Sequence, residues 1–451
     1  MITSGFIFYM RHKRQLRHIT SHIAHSGFGR MLFDFELLHH LPVRVFRKRN
    51  EFIESLADGR TLSRMLGELG PGFVEAGRIA ASRSDVVPQP YQNALLNNTS
   101  ALPVMGEKKF THLLKKSIGT SAVKEIGSIE LDPYRSNLIS QTNKAILKDG
   151  RRVLITVNDP KSVRLMGDTV ETLQELLPAI ASKFKNVIAE SMLYELVRRA
   201  EMLSDLALAG SRAEMLDAHF EHHQKITIPE VLWEYTNRDV LVQRWHNHPT
   251  MREIAEGRKK TAAARKYINR YTAEAFIYQY GVGGVFVLRP LLSDMQIGPR
   301  NSVIMNHVLG TGYLEPEERR VFVALLYALL EGKPELAAKV LLKAHYGRHE
   351  HRRTYFSSGI HLPESRKASI SELVWELLEQ AWHGNMHVPL GISMAAESVL
   401  YLEHAFTRLD SDSFVLNDNL LLAIKKYTPE IFGLKKTASV AEIVTLVTAD
   451  S

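Results

Sequence analysis

The segment Leu69–Pro88, LGPGFVEAGRIAASRSDVVP, constrains the fold of this chain more than any other stretch. Leu69, Phe73, Ala76 and Ala80 recur at helical spacing, so the pattern predicts an amphipathic helix that buries one face. Gly70-Pro71 opens the segment, because proline is tolerated in a first helical turn, and Pro88 closes it. Spacing alone implies a core helix and nothing more. The order of the residues is the less ordinary property.

A chain of 451 residues is long enough for two or three packed units, and 45% apolar with 24% charged residues describes a globular protein. The absence of cysteine excludes disulfides, thiolate zinc sites and a cysteine nucleophile. A net charge of +8 favours anionic partners: a membrane surface, nucleic acid or an acidic protein. No apolar run reaches the roughly 18–20 residues that span a bilayer. The opening MITSGFIFYM is apolar, but its basic cluster follows it, the reverse of a secretory signal. A cytoplasmic protein is expected, with peripheral attachment to the inner face of the membrane left open.

Residues 1–60 form a basic N-terminal region of expected helices. Arg11, Lys13, Arg14 and Arg17 lie among Leu16, Ile19 and Ile23, which share a helix face. Such a stripe either packs on the body or lies on anionic lipid, and the second reading makes these cations the membrane or anion contacts. Residues 61–125 read as helical, with a polar break at 97–103. From 126 the pattern changes to β-branched runs, GSIELD and VLITV, and Asp149-Gly150 is a hairpin signal. Asp168–Leu177 and the long run Glu190–Phe220 return to helix; ITIPEVLWEY and DVLVQRW read as two more strands. This sheet region is bounded at 126–248. Residues 249–451 read as helical apart from an extended piece near 285–307, and Pro316–Leu330 reads as a buried helix.

The order of residues in the opening segment resembles the signature of the UbiB/AarF family of atypical protein-kinase-like proteins, L-G-P-T-F-I-K-x-G-Q followed by S-T-R-x-D-L-x-P. Leu69, Gly70, Pro71, Phe73, Gly77, Arg83, Asp85 and Pro88 fall in register, while Glu75 stands at the family's Lys and Arg78 at its Gln. Downstream, LEPEERRVFVALLYALLEGKPE and VPLGISMAAESVLYLEHAFTRLDSD are similar to later family segments, so the resemblance covers roughly residues 60–420. It implies an α+β, protein-kinase-like two-lobed fold. The small antiparallel sheet with helical insertions is then the N-lobe, the helical remainder the C-lobe, and 61–125 a family-specific helical extension.

Phosphoryl transfer needs a strand Lys with a partner Glu, a catalytic Asp, and an Asn and an Asp on magnesium. By resemblance, DGRRVLITVNDP places Thr156 at the strand Lys. RSNLISQTN replaces the family's alanine-rich loop with Arg135, Ser136 and Asn137 and keeps Gln141. The E-x-D motif falls on Leu203 and Asp205. VLRPLLSD, after Gln279 and Gly284, puts Arg289 at the catalytic Asp and Asp294 at the metal-binding Asn, and His307 stands at the metal Asp. Positive charge there repels a metal, so no cofactor is expected. Glu75 and Arg289 have both reversed sign, and a pair between them is expected.

The His-rich run with His345, His349 and His351 invites a metal reading, but Gly347, Arg348, Arg352 and Arg353 favour a basic surface loop. Tyr355 and Phe356 beside that loop could stack on single-stranded nucleic acid. His246 and His248 align with the hinge between lobes. The combined reading is a non-catalytic UbiB-like pseudokinase, a lipid- or protein-binding scaffold or regulator in an isoprenoid-quinone or other biosynthetic pathway. Its expected partners are an intact UbiB-like kinase or biosynthetic enzyme, an anionic membrane surface or an isoprenoid lipid, with nucleic acid fitting less well. The alternatives are an enzyme rebuilt around Glu75, Asp205 and Asp294, and a nucleic-acid-binding module.

Overall fold

A computed structural model describes residues 16–28, 30, 32, 58–81, 87, 89–96, 103–183, 186–221, 223, 225–257, 262–306, 308–344, 368–383, 386, 388–409, 414–436 and 438–449. Arg11, Lys13, Arg14, His307, the 82–86 part of the signature and the 345–356 His/Arg loop lie outside the described residues.

In chain order, helices α1 (Gly59–Leu69), α2 (Pro71–Ala81), α3 (Gln89–Leu96) and α4 (Glu107–Lys124) lead into strands β1 (Ile126–Ile129), β2 (Arg135–Ser136), β3 (Ser140–Leu147) and β4 (Arg152–Asn158). Three helices follow, α5 (Pro160–Lys183), α6 (Asn186–Ser204) and α7 (Leu206–Phe220), then β5 (Ile226–Thr227) and β6 (Val240–Arg244). After α8 (Met251–Gly257) and α9 (Ala262–Tyr278) come β7 (Val285–Val287), β8 (Met295–Ile297), β9 (Val303–Met305) and β10 (Thr311–Tyr313). The chain ends in α10 (Pro316–Leu330), α11 (Pro334–Ala344), α12 (Ile370–His383), α13 (Leu390–Leu409), α14 (Phe414–Phe432) and α15 (Val440–Ala449). These elements divide into two compact units: residues 1–113, 132–142 and 157–204, and residues 114–131, 143–156 and 205–451.

The first unit is helical and is built around α2. The expected single helix from Leu69 is instead a corner between two helices. Gly70 takes φ 123° and its N–H bonds the Leu66 carbonyl, which ends α1 with Leu69 inside it; Pro71 then starts α2. The buried face is also broader than expected. Gly72, Phe73, Val74, Glu75, Gly77, Ile79 and Ala81 are buried, whereas Ala76 and Ala80 are half-buried. The reason is that α2 packs against α1, α3, α5 and α6 together. Two glycines permit this: a methyl on Gly72 would lie 2.4 Å from Thr169 Cβ on α5, and one on Gly77 2.5 Å from Leu66 Cδ1 on α1.

The N-terminal apolar stripe belongs to this core. Leu16, Ile19 and Ile23 cluster with Met65, Phe73 and Leu176, and Leu16 and Ile19 are 2% and 4% exposed. Burying each such side chain stabilises by about 1.5–3 kcal/mol, so Leu16 and Ile19 pack on the body instead of facing lipid.

In the second unit β1, β3, β4 and β6 form a sheet in that order, with β1 antiparallel to β3. The expected Asp149-Gly150 hairpin is present: Gly150 has φ 86° and Asp149 accepts the Arg151 N–H at 2.9 Å. ITIPEVLWEY is not a full strand. Only Ile226–Thr227 is extended, since Pro229 lacks a ladder N–H, and a 3-10 turn follows at Trp233–Tyr235. Nor is Glu190–Phe220 one helix, because Asp205 separates α6 from α7. A smaller sheet pairs β5 parallel with β9 and β9 antiparallel with β8, and β7 pairs with β10. The helix α10 is buried over Val321–Leu329, as its nearly all-round apolar sequence requires. Among the described residues no helix is long and apolar enough to cross a membrane.

Candidate functional site

The positions singled out in the sequence fall into a charged centre in the first unit and a loop in the second. The charged centre begins at Glu75, a lone carboxylate in the apolar run of α2 and 1% exposed. It accepts Arg199 Nη1 of α6 at 3.0 Å and Arg78 Nη1, three residues on, at 3.4 Å. Arg199 also donates from Nη2 to Glu195, one turn earlier on α6. Arg199 is itself 1% exposed. Two carboxylates and two guanidiniums thus cancel inside a core, the condition under which buried charge is tolerated. The neighbouring Arg135 guanidinium is pushed down to about 10 by burial, and the Arg78 charge adds to the effect while Tyr134 opposes it.

Three further motif positions in this unit carry local structure. Gln141, fully buried, accepts the Met105 N–H at 2.6 Å and returns its amide to the Met105 carbonyl, fixing the approach to α4 on β3. Asn137 closes the β2–β3 turn, its Oδ1 accepting from Ile139 and Ser140 N–H at 3.0 and 2.8 Å. The Arg135–Asn143 stretch therefore includes a pinned polar turn. Leu203 packs with the cluster of Val74, Leu138, Ile139 and Met166.

In the second unit Thr156 lies in β4 and is 1% exposed. Asp205 is the N-cap of α7, its Oδ1 accepting the Leu208 N–H at 3.0 Å. Arg289 follows β7 and donates Nε to Glu397 Oε1 at 2.7 Å. Glu397 stands on α13 and is completely buried, and the Arg289 guanidinium also lies 5.7 Å over the Tyr401 ring. Ser398, beside Glu397, ties α13 to the same strand by donating to the Val287 carbonyl at 2.7 Å. Asp294 is 8% exposed before β8, and its backbone carbonyl accepts Asn306 N–H at 2.7 Å. His246 and His248 stack at 6.3 Å, and burial, then the charges of His248 and Arg244, push His246 below its ordinary value.

Within its own unit each of the two charged positions meets partners: Arg199 and Arg78 for Glu75, and Glu397 for Arg289. Sequence reasoning missed Arg199, Glu195 and Glu397. Glu397 was signalled by its isolation in the apolar run GISMAAESVLYL, and Glu195 and Arg199 by their i,i+4 spacing. Nothing local names the partner of a buried charge.

The profile of the ABC1 atypical kinase-like domain matches residues 98–340, more than half of the chain. The chain belongs to this family. It has an α+β kinase-like fold, and its relatives include UbiB proteins. An uncharacterized protein of Synechocystis sp. is 25% identical over 370 residues, covering 76% of this chain and 89% of that protein. A probable protein kinase UbiB of Cellvibrio japonicus is 28% identical over 208 residues, covering 45% of this chain and 36% of that one. The match thus spans about a third of the UbiB relative's length. A solved structure, the Rv3197–erythromycin complex from Mycobacterium tuberculosis, aligns at TM-score 0.49 and 20% identity over 77% of this ABC1-type chain and 91% of that chain.

Proposed function

We propose that this ABC1-family chain is a pseudokinase that acts by binding, as a scaffold or regulator for a protein or lipid partner. The observation that carries the reading is the ion pair at the catalytic Asp position. Arg289 has no proton to give or take near neutral pH and is already bound to Glu397 at 2.7 Å. A phosphoryl-transfer site needs a carboxylate at that position to orient the nucleophile. The strand Lys is the uncharged, buried Thr156, which cannot hold a phosphate. The rebuilt-enzyme alternative is weakened by Asp205, which caps α7, and by Glu75, which is held by two guanidiniums.

The family relatives bear names from the UbiB group, and an isoprenoid-quinone or related pathway is the setting this supports, with an intact UbiB-like kinase or a biosynthetic enzyme as partner. Calorimetry and thermal shift test the non-catalytic reading. A nucleotide at 100 times its dissociation constant stabilises a binder by roughly 2.7 kcal/mol. No magnesium-dependent rise in melting temperature with ATP and no ATP hydrolysis are expected; either one overturns it.

A further inference from the structure

Helix α9 presents an aromatic and cationic surface that the kinase-like reading does not use. Tyr267 and Tyr271, one turn apart, stack with centroids 6.3 Å apart and planes 21° from parallel. Tyr267 is 50% exposed. Lys225, just before β5, places its ammonium 5.5 Å over the Tyr271 ring and donates to the Arg300 carbonyl at 3.2 Å. Arg300 and Asn301 are the central residues of the β8–β9 turn, with φ 55° and 61°. Positive φ at both positions is the type I′ hairpin geometry, which favours Asn or Gly at each. Asn301 suits it. Arg300 does not, and its exposed side chain is held on a rigid turn beside α9.

The charge balance of this surface is positive. Its buried carboxylate, Glu274, is already bound by Arg270 at 2.9 Å and Lys426 at 2.7 Å. Among the described residues no carboxylate pairs with Lys225, Lys266 or Arg300. An exposed ring stacked on a half-buried one, beside unneutralised cations, suits single strands held without sequence preference: bases stack on the ring and phosphates meet the cations. A membrane surface would need several inserted apolar side chains. Among the described residues of α9, α14 and the β8–β9 turn, the exposed large hydrophobic residues are Tyr267 and Leu422.

We infer that Tyr267, stacked on Tyr271, with Lys225, Lys266 and Arg300, forms a docking surface for single-stranded nucleic acid. The test is fluorescence anisotropy of the full chain with labelled oligo-dT, oligo-U and duplex DNA, each about 15 nucleotides long, the scale of such sites. Anionic phosphatidylglycerol vesicles are run in parallel. Single strands should bind more tightly than duplex, with a log–log salt slope of about −2 for three cations. The two single-stranded arms distinguish RNA from DNA. Tyr267→Ala with Tyr271→Ala should weaken single-strand binding at least about fivefold, while Phe at both positions retains most of it.

Arg300→Gly is the decisive variant, because it relieves the positive-φ residue and removes the charge together. The melting temperature should hold or rise while binding weakens and the salt slope falls by about 0.7. Equal affinity for duplex and single strands, or binding untouched by the Tyr and Arg300 variants, overturns the inference. Vesicle binding that depends on these residues without oligonucleotide binding also overturns it, in favour of a membrane surface.

Discussion

Replacing Glu75 by Gln tests whether the charged centre of the first unit is structural. The substitution keeps the shape and a hydrogen-bond acceptor but removes the charge. Arg199 and Arg78 then lose a carboxylate that meets both of them, and the centre gains one positive charge. At 3.0 Å the lost attraction between Glu75 and Arg199 is about 5.5 kcal/mol for an effective dielectric constant near 20. Part of this is returned, because one fewer charge is desolvated in the folded state. Measured losses on breaking one side of a buried pair are about 3–5 kcal/mol, and the retained amide acceptor puts Glu75→Gln near the lower end.

Chemical denaturation of the full chain by far-UV circular dichroism reads both units. All four tryptophans, Trp233, Trp245, Trp375 and Trp382, lie in the second unit, so intrinsic fluorescence reads that unit alone. The loss should appear in the dichroism transition. In a double-mutant cycle, Glu75→Gln with Arg199→Gln should show coupling above about 1.5 kcal/mol, and Glu75→Gln with Arg289→Gln below about 0.5. A loss under about 1 kcal/mol for Glu75→Gln, or strong coupling to Arg289, refutes the reasoning.

Arg289→Asp sets a carboxylate against buried Glu397, so it should lower the melting temperature more than Arg289→Gln and, on the proposed reading, confer no ATP hydrolysis. Gly72→Ala should cost about 1–3 kcal/mol by forcing α2 away from Thr169, and Gly77→Ala less, because Leu66 can turn its methyl aside. Three His residues of the second unit are held below their ordinary value of 6.5, each chiefly by burial: His219 with Arg319 adding, His223 with Lys426 adding and Glu274 opposing, and His246 with His248 and Arg244 adding. The folded state therefore binds fewer protons than the unfolded one just below pH 6.5, and stability should fall as pH drops from 7 towards 5.5. His223→Gln, which can still reach the Tyr427 hydroxyl, should flatten part of that fall in a pH series of melting temperatures. Attachment to anionic vesicles through Arg11, Lys13, Arg14 and Arg17 is proposed as purely electrostatic. Its limit is about 4 kcal/mol, it should vanish at high salt in a sedimentation assay, and it should be lost when all four become Gln.

The fold class was legible because spacing patterns carry it. The switch from helical to alternating runs near 126, the Asp149-Gly150 turn and the apolar run of α10 each correspond to an observed element. The start of α2 at Pro71 was legible as a glycine–proline step, whereas Leu69, counted by spacing on the same face, belongs to α1. Asp205 was read as a motif carboxylate although an aspartate followed by an apolar run is equally a helix cap. The N-terminal stripe could be read for a core or a lipid surface, since both take an apolar face with cations beside it, and the burial of Leu16 and Ile19 comes only from tertiary packing. The candidate site was legible as a set of altered positions and illegible as a set of partners. Arg199 lies 124 residues from Glu75, and Glu397 lies 108 from Arg289. No local pattern reaches that far.

The charged positions at 75 and 289 also resist single changes of charge. Each is tied to a partner that is itself buried: Glu75 to Arg199 at 1% exposure, and Arg289 to Glu397 at 0%. Changing one member alone leaves a buried charge opposite a neutral or like group, at a cost of several kcal/mol. That is a large part of the roughly 5–15 kcal/mol that separates folded from unfolded states. A Lys at 75 would face Arg199, and an Asp at 289 would face Glu397. Each reversal therefore requires a second, simultaneous change on a helix distant in sequence. A Lys at Thr156 meets a further obstacle, since an ammonium would enter a buried strand between Ile155 and Val157. The residues at 75 and 289 are part of what holds each unit together.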